Sequence, residues 1–314
     1  MNLGSIGNPL VSVVIPMYQA EAWIIDTLVT VAAQTYPRVE TIVVDDGSTD
    51  RGADLVAEYA SADALAIRLV RTANRGVSEA RNIGILASTG DYVALLDADD
   101  LWHPRKLELQ VAHLGGSGGP TCVCGYELFD DRTGRPIGVV RFRNGSQALR
   151  GWLALEGNGL LLPSTVLIRR TVLDDMRGFD PDLSVSADLD FALRIEEFGP
   201  LYALPETLVR YRVHPAQMHR RLDDFGSDVS LLSDRVFADG RRRSFERRCR
   251  ANLDAHLGFS HLLRGRVGVA MPYFLHSLRR DPRRLVTLPL WALIRRLKRR
   301  SRAMFRSCAA RWER

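Results

Sequence analysis

Short, nearly unbroken runs of β-branched residues constrain this chain more than any other feature. Val11–Ile15 and Thr41–Val44 show almost no polar alternation, so both read as strands buried on two faces of a parallel sheet. Between them, Ala20–Gln34 carries apolar residues at helical spacing and Tyr36-Pro37 closes it, which makes a βαβ unit. Leu65–Val70 and Tyr92–Leu96 read as two further strands, with a helix over Val77–Ala87 and a turn at Gly90-Asp91. The alternation predicts an α/β fold: a Rossmann-like, mostly parallel sheet flanked by helices.

After Asp100 the alternation stops. Gly115–Gly119 reads as a flexible loop, and Thr121–Phe129, Ile137–Arg143 and Ser164–Ile168 read as strands of a mixed sheet. Ser186–Phe198 has helical spacing, Leu201–Leu204 and Leu208–Val213 look like short strands, and from about Phe225 the pattern is helical and increasingly arginine-rich. The expected organisation is a catalytic domain over 1–225, with a nucleotide-binding half at about 10–115 and an acceptor half at about 116–225. A helical, basic region over 226–314 follows it. No internal repeat is evident.

Several classes are set aside by composition. No stretch of the 314 residues approaches the roughly 20 apolar residues of a membrane-spanning helix, and the first thirty lack the basic start of a secretory signal. The chain is therefore expected in the cytoplasm. Cys122, Cys124, Cys249 and Cys308 form no disulfide framework, and Cys122-Val123-Cys124 reads as two small residues on one face of a buried strand rather than as a metal or redox pair. The net charge of +6 is unevenly spread. Residues 241–314 hold 21 Lys and Arg against 4 acids, which leaves 22 basic against 33 acidic residues in the first 240. That asymmetry suggests a core that gathers carboxylates and a tail drawn to an anionic surface.

In an open parallel sheet, ligands bind beyond the carboxyl ends of the strands. Here strand one ends at Pro16-Met17-Tyr18, strand two at Asp45-Asp46-Gly47-Ser48 and strand four at Asp97-Ala98-Asp99-Asp100. A single Asp at a strand end is usually a turn residue or a helix cap. Three carboxylates within four residues repel one another, and a bound cation offsets that cost. Mg2+ and Mn2+ prefer hard oxygen ligands, commonly one or two carboxylates together with substrate phosphates.

These motifs resemble the inverting, GT-A-fold glycosyltransferases of family 2 across roughly residues 10–215. The likeness rests on Val13–Tyr18, Ile42–Asp50, Asn74-Arg75-Gly76 through Ala80-Arg81-Asn82, and Leu96–Asp100 with Trp102, Pro104 and Lys106. Gly178-Phe179-Asp180, Asp188-Leu189-Asp190 and Tyr211–His214 extend it. The resemblance implies that Pro16, Tyr18 and Asp45 line the base and ribose pocket of a nucleotide-sugar. It implies that Asp97, Ala98 and Asp99 face the ribose and a Mg2+ or Mn2+ ion, Asp99 as the direct ligand with Asp97 beside it. Glu21 and Arg81 match positions near the donor, and Gln19 stands where the family commonly has Asn. Asp188 matches the general base, with Ala187 where Glu is usual; the alternative is that Asp188 only caps its helix or sits on its first turn, where a negative charge favours the positive end of the dipole. Asp190 matches a second acid that positions the helix. His214 either approaches the metal and diphosphate or is structural.

The tail offers a further expectation. Leu285–Ile294 is an apolar run followed by Arg295–Arg300, which suits the interface of an anionic membrane better than a helical cap on the catalytic domain. Nucleic acid is not an expected partner, since no stacking platform accompanies the arginines. The expected acceptor is a glycan or lipid-linked molecule at the inner membrane face, in cell-envelope or capsule synthesis. Three rivals stand beside this reading. A glycoside hydrolase also uses paired carboxylates but needs no diphosphate-binding metal motif. A dinucleotide oxidoreductase would need Gly-x-Gly-x-x-Gly after strand one, where Pro16-Met17-Tyr18 stands. An inactive surface-binding protein would keep the fold while Ala187 marked decay, against which Asp97, Asp99 and Asp188 are all retained.

Overall fold

The computed structural model describes residues 8–62, 66–142, 162–183, 186–215, 217, 222–238 and 243–283. They divide into two compact units, described residues 8–217 and 222–283.

The first unit begins with β1 (Val11–Met17), α1 (Ile24–Ala32), β2 (Val39–Asp46), α2 (Gly52–Ser61), β3 (Ile67–Thr72), α3 (Val77–Ala87) and β4 (Tyr92–Leu95). All seven residues of β1 are buried, because β2 and β4 pair with it in parallel on its two edges and helices cover both faces. Val11, Val13 and Ile15 point to the side where Ile24, Leu28 and Val31 of α1 are buried. On the other face Gly84 of α3 brings its backbone close to Val14 and Val44. A run without polar alternation is what such a two-sided strand requires.

The unit continues with β5 (Leu101–Trp102), α4 (Lys106–Ser117), β6 (Thr121–Asp130), β7 (Pro136–Val140), β8 (Val166–Arg169), α5 (Arg170–Met176), α6 (Ala187–Ile195) and β9 (Leu201–Val213). The described strands form one mixed sheet in the order β3-β2-β1-β4-β8-β6-β9-β5, with β7 on β6. The parallel pairs are β1 with β2 and β4, β2 with β3, and β6 with β9; β8 runs antiparallel between β4 and β6.

Two sequence expectations are corrected. The Gly115–Gly119 stretch is not a loop throughout: α4 runs to Ser117, because Leu107, Val111 and Leu114 keep one buried face in register. Gly118 then takes the left-handed conformation (φ 66°) that ends many helices. The two short strands after residue 200 are one strand, β9, irregular in the middle. Leu204 lies opposite Cys124 but Thr207 lies opposite Gly125, so Pro205, which has no N–H to donate, sits in a bulge. Cys122 and Cys124 are buried in β6, and burial pushes their thiols up to about 12 and about 11, which makes them inert packing groups.

The second unit contains α7 (Leu222–Val236), α8 (Arg243–Leu263) and α9 (Val267–Arg280). Val229, Leu253 and Leu257 form its buried cluster, with Tyr273 packed against them. No helix among the described residues is long and apolar enough to cross a membrane. The apolar and basic run expected at Leu285–Arg300 lies outside the described residues.

Candidate active site

The strand ends carry the acids as the topology requires, and each acid has a distinct environment. Asp45, 2% exposed, accepts from Ser48 N at 3.0 Å and from Arg71 Nε at 3.3 Å. Its neighbour Asp46 faces elsewhere and accepts from Arg75 N and Gly76 N, both at 2.8 Å, so it fastens β2 to the start of α3. Pro16 is buried at the end of β1, whereas Tyr18, just beyond it, is 53% exposed. Gln19 has a positive φ of 51° and stitches this edge to the β2 loop: its Oε1 accepts from Thr49 N and Asp50 N, and its Nε2 donates to Thr49 Oγ1. Glu21 stands at the same edge, accepting from Arg51 N at 3.2 Å.

The Asp97–Asp100 loop is held from several sides. Ser164 Oγ accepts from Asp97 N at 3.1 Å and donates to Asp100 Oδ2 at 2.5 Å. Thr27 Oγ1 on α1 donates to the carbonyls of Ala98 and Asp100, both at 2.9 Å. Asp100 is fully buried, and burial together with the charges of Asp99 and Asp97 holds its carboxyl well above the usual range. Its role is structural: it also accepts from Arg212 N at 3.2 Å. Asp97 and Asp99 remain 25% and 23% exposed.

Arg81 joins two sequence-distant acids. Its guanidinium is 4% exposed, with one terminal nitrogen 2.7 Å from Asp97 Oδ1 and the other 2.7 Å from Asp188 Oδ1. Burial disfavours the cation, but the two carboxylates more than offset that and raise its pKa. The next residue, Asn82, brackets the Phe179 backbone with bonds of 2.7 and 2.8 Å, and Arg81 lies over the Phe179 ring at 5.0 Å. Gly178 makes this approach possible: it takes φ 71°, and a Cβ there would sit 2.3 Å from Asn82 Oδ1. Phe179 stacks in turn on Phe191 of α6 at 4.0 Å, which fixes the helix that presents Asp188.

Asp188 lies in the first turn of α6, and its described hydrogen bond goes to Arg81. Its carboxyl is one-third exposed, and burial, opposed by Arg81 and reinforced by Asp97, pushes its pKa up to about 6. Asp190 instead accepts from Arg194 Nε at 2.7 Å, and Arg194 also donates to the carbonyls of Met176 and Gly178, so Asp190 anchors the helix.

His214 is 4% exposed, with Nε2 2.8 Å from Asp99 Oδ2 and its ring 4.0 Å from that of Trp23. Its Nδ1 is buried without a partner among the described residues. Among the described residues no three His, Cys, Asp or Glu side chains converge into a metal cage. The donor set nevertheless suits a hard cation shared with a substrate. Asp97 and Asp99 each engage one carboxylate oxygen with Arg81 or His214, and among the described residues the other oxygen has no hydrogen-bond partner, on side chains that remain partly open.

Arg212 is the residue whose part in the site the sequence reading missed. It is 6% exposed and donates to Asp99 O at 2.8 Å, to Asp131 Oδ1 at 2.9 Å and to Asp26 Oδ2 at 3.1 Å, so it pins the Asp99 backbone between three elements. The available signal was an arginine inside the strand-like run Tyr211–Val213.

Residues 12–175 match the sequence model described as glycosyl transferase family 2. An uncharacterised glycosyltransferase of Rickettsia typhi is 30% identical over 214 residues, 67% of this chain and 66% of that protein, and the match to a Rickettsia felis glycosyltransferase covers only 37% of its length. TuaG of Bacillus subtilis, named for teichuronic acid biosynthesis, is 32% identical over 207 residues, 66% of this chain and 80% of its own length. Among solved structures, residues 1–349 of S. aureus TarS with UDP-GlcNAc superpose with a TM-score of 0.66 at 20% identity, covering 86% of this chain and 79% of that one. The mannosyltransferase PcManGT of Pyrobaculum calidifontis, solved with GDP-Man and Mn2+, gives 0.63 at 21% identity, covering 95% and 84%. Both likenesses show the fold, which is GT-A.

Proposed function

Because the chain belongs to glycosyl transferase family 2 and has the GT-A fold, we propose that it is an inverting enzyme moving a sugar from a nucleotide-sugar to an acceptor hydroxyl. The acceptor class is a glycan or a lipid-linked molecule of cell-envelope or capsule polysaccharide synthesis. The observation that carries the reading is the Asp97–Arg81–Asp188 bridge, in which one buried cation ties the acid of the strand-four motif to the acid that opens α6. Support for the donor class comes from TarS and PcManGT, solved with UDP-GlcNAc and GDP-Man, and support for the acceptor class from the name of TuaG.

In this reading Asp188 takes the proton of the acceptor hydroxyl as its oxygen attacks the anomeric carbon in line with the departing diphosphate. A pKa near 6 suits a general base, since the group is mostly carboxylate at neutral pH yet more basic than an ordinary aspartate. Arg81 aims the carboxylate and keeps it charged. Pro16, Tyr18 and Asp45 receive the base and ribose, with Glu21 and Ala98 at the edges of the donor site. Asp99, with Asp97 and His214, would hold Mg2+ or Mn2+, which when bound neutralises charge on the leaving diphosphate. Catalysis is tested by Asp188→Asn, which keeps the shape but removes the base. Donor binding is expected to persist while transfer falls by about 10²–10⁴-fold. Wild-type turnover in this variant would return Asp188 to a structural role.

A further inference from the structure

One face of α9 is used inside the second unit. Ala270, Phe274 and Ser277 follow helical spacing toward α8, where the Phe274 ring lies 4.9 Å from that of Phe259 and Ser277 Oγ donates to Ala251 O at 2.7 Å. A second apolar face points outward. Val267, Met271 and Leu275, spaced i, i+4 and i+8, are 54%, 50% and 50% exposed. Leu263, at 61%, adds an exposed apolar side chain before the α8–α9 turn, and every residue from Leu262 to Val269 is exposed. Arg264 and Arg266 lie within that stretch, which contains no acid, and from 262 to 283 five arginines face one aspartate.

We propose that this face of α9, together with Leu263 before the turn, seats on an anionic lipid bilayer. The side chains enter the acyl boundary while Arg264 and Arg266 remain at the phosphate level. Charge decides between occupants. A second copy meeting the face symmetrically would press Arg264 and Arg266 against their own counterparts, whereas an anionic headgroup layer complements them. The helix lies in the surface rather than across it, since 14 residues reach only roughly 21 Å against a hydrocarbon core of about 30 Å. This seat is distinct from the run at 285–300, and it does not depend on the transfer chemistry.

Cosedimentation of the full chain reads the proposal directly. The probes are vesicles of phosphatidylglycerol and phosphatidylcholine in equal parts, with phosphatidylcholine alone as the comparison. Binding is expected only to the anionic vesicles. Val267→Ser combined with Met271→Ser and Leu275→Ser is expected to weaken it by at least about tenfold, and Arg264→Gln or Arg266→Gln by about fivefold each, with far-ultraviolet circular dichroism unchanged. Should the triple variant fail to fold, Val267→Trp supplies a second readout: its added emission shifts to the blue on anionic vesicles. Absence of wild-type binding, undiminished binding of the folded triple variant, or no blue shift would each overturn the proposal. Undiminished binding that disappears on deleting 285–314 would assign the membrane contact to that segment. A wild-type dimer that the triple substitution turns into a monomer without changing vesicle binding would assign the face to a second copy.

Discussion

Both terminal nitrogens of Arg81 are occupied by carboxylates at 2.7 Å, so replacing it leaves Asp97 and Asp188 facing each other without a cation. Arg81→Gln is expected to cost about 2–3 kcal/mol in urea unfolding, below the 3–5 of a fully buried pair because the acids are a quarter to a third exposed. The same substitution has a kinetic signature. If Asp188 is the base, kcat/KM of the wild type falls as pH drops through about 6, because only the ionised form accepts the proton. Removing Arg81 takes away the cation that favours ionisation while Asp97 remains, so the acid limb moves to higher pH, and Arg81→Lys moves it part of the way back. An acid limb that stays in place would separate Arg81 from the base. Lys106 gives a second pH prediction. It is fully buried, donates to Gln110 Oε1 at 2.8 Å and lies 3.9 Å from the Trp102 ring, and burial lowers its pKa to about 8. Between pH 8 and the ordinary lysine value the unfolded chain holds one more proton than the folded one, so this group makes stability rise with pH there. Lys106→Met is expected to flatten that rise in melting curves taken at pH 7.5, 8.5 and 9.5. At this scale the acids were legible because several in one short stretch are costly without a purpose. Arg212 was not, since an arginine in an apolar strand reads equally well as a solvated edge position.

Helix α3 shows how far an element can be predicted from local preference. Gly84 lies in its interior, where alanine would ordinarily favour the helix by about 1 kcal/mol. A Cβ at that position would fall 2.3 Å from Val14 Cγ1 and 3.2 Å from Val44 Cγ2, both on stiff β-branched side chains in the buried sheet. Overpacking of about 1–3 kcal/mol wins, so Gly84→Ala is expected to lower the melting temperature despite its better helix propensity. The strands β1, β2 and β4 were readable for the same physical reason: an apolar run buried on two faces has no alternative place in a folded chain. Gly115–Gly119 and the residues around Pro205 were not. In the first case an apolar face carried the helix through glycines, and in the second a bulge carried a strand past a proline. Both outcomes depend on what packs alongside, which local composition does not record.

Across the whole chain, the first 240 residues hold 33 acids against 22 basic residues while the remainder is strongly basic. Calorimetry with UDP-, GDP- and dTDP-sugars is expected to detect donor uptake that needs Mn2+ or Mg2+ and is lost in EDTA, and Asp99→Ala is expected to remove the metal dependence. Transfer by the wild type would set aside an inactive binding protein, whereas donor uptake without any turnover would favour it. The bridge through Arg81 also bears on recombination between relatives. Its cation comes from α3 and one of its anions from α6, 107 residues further along, so any splice point between residues 88 and 186 parts them. A hybrid spliced there inherits a matching condition that overall identity does not capture. The incoming half must bring an acid into register with the resident arginine, or the graft will carry an orphaned buried charge however well the rest of its surface fits.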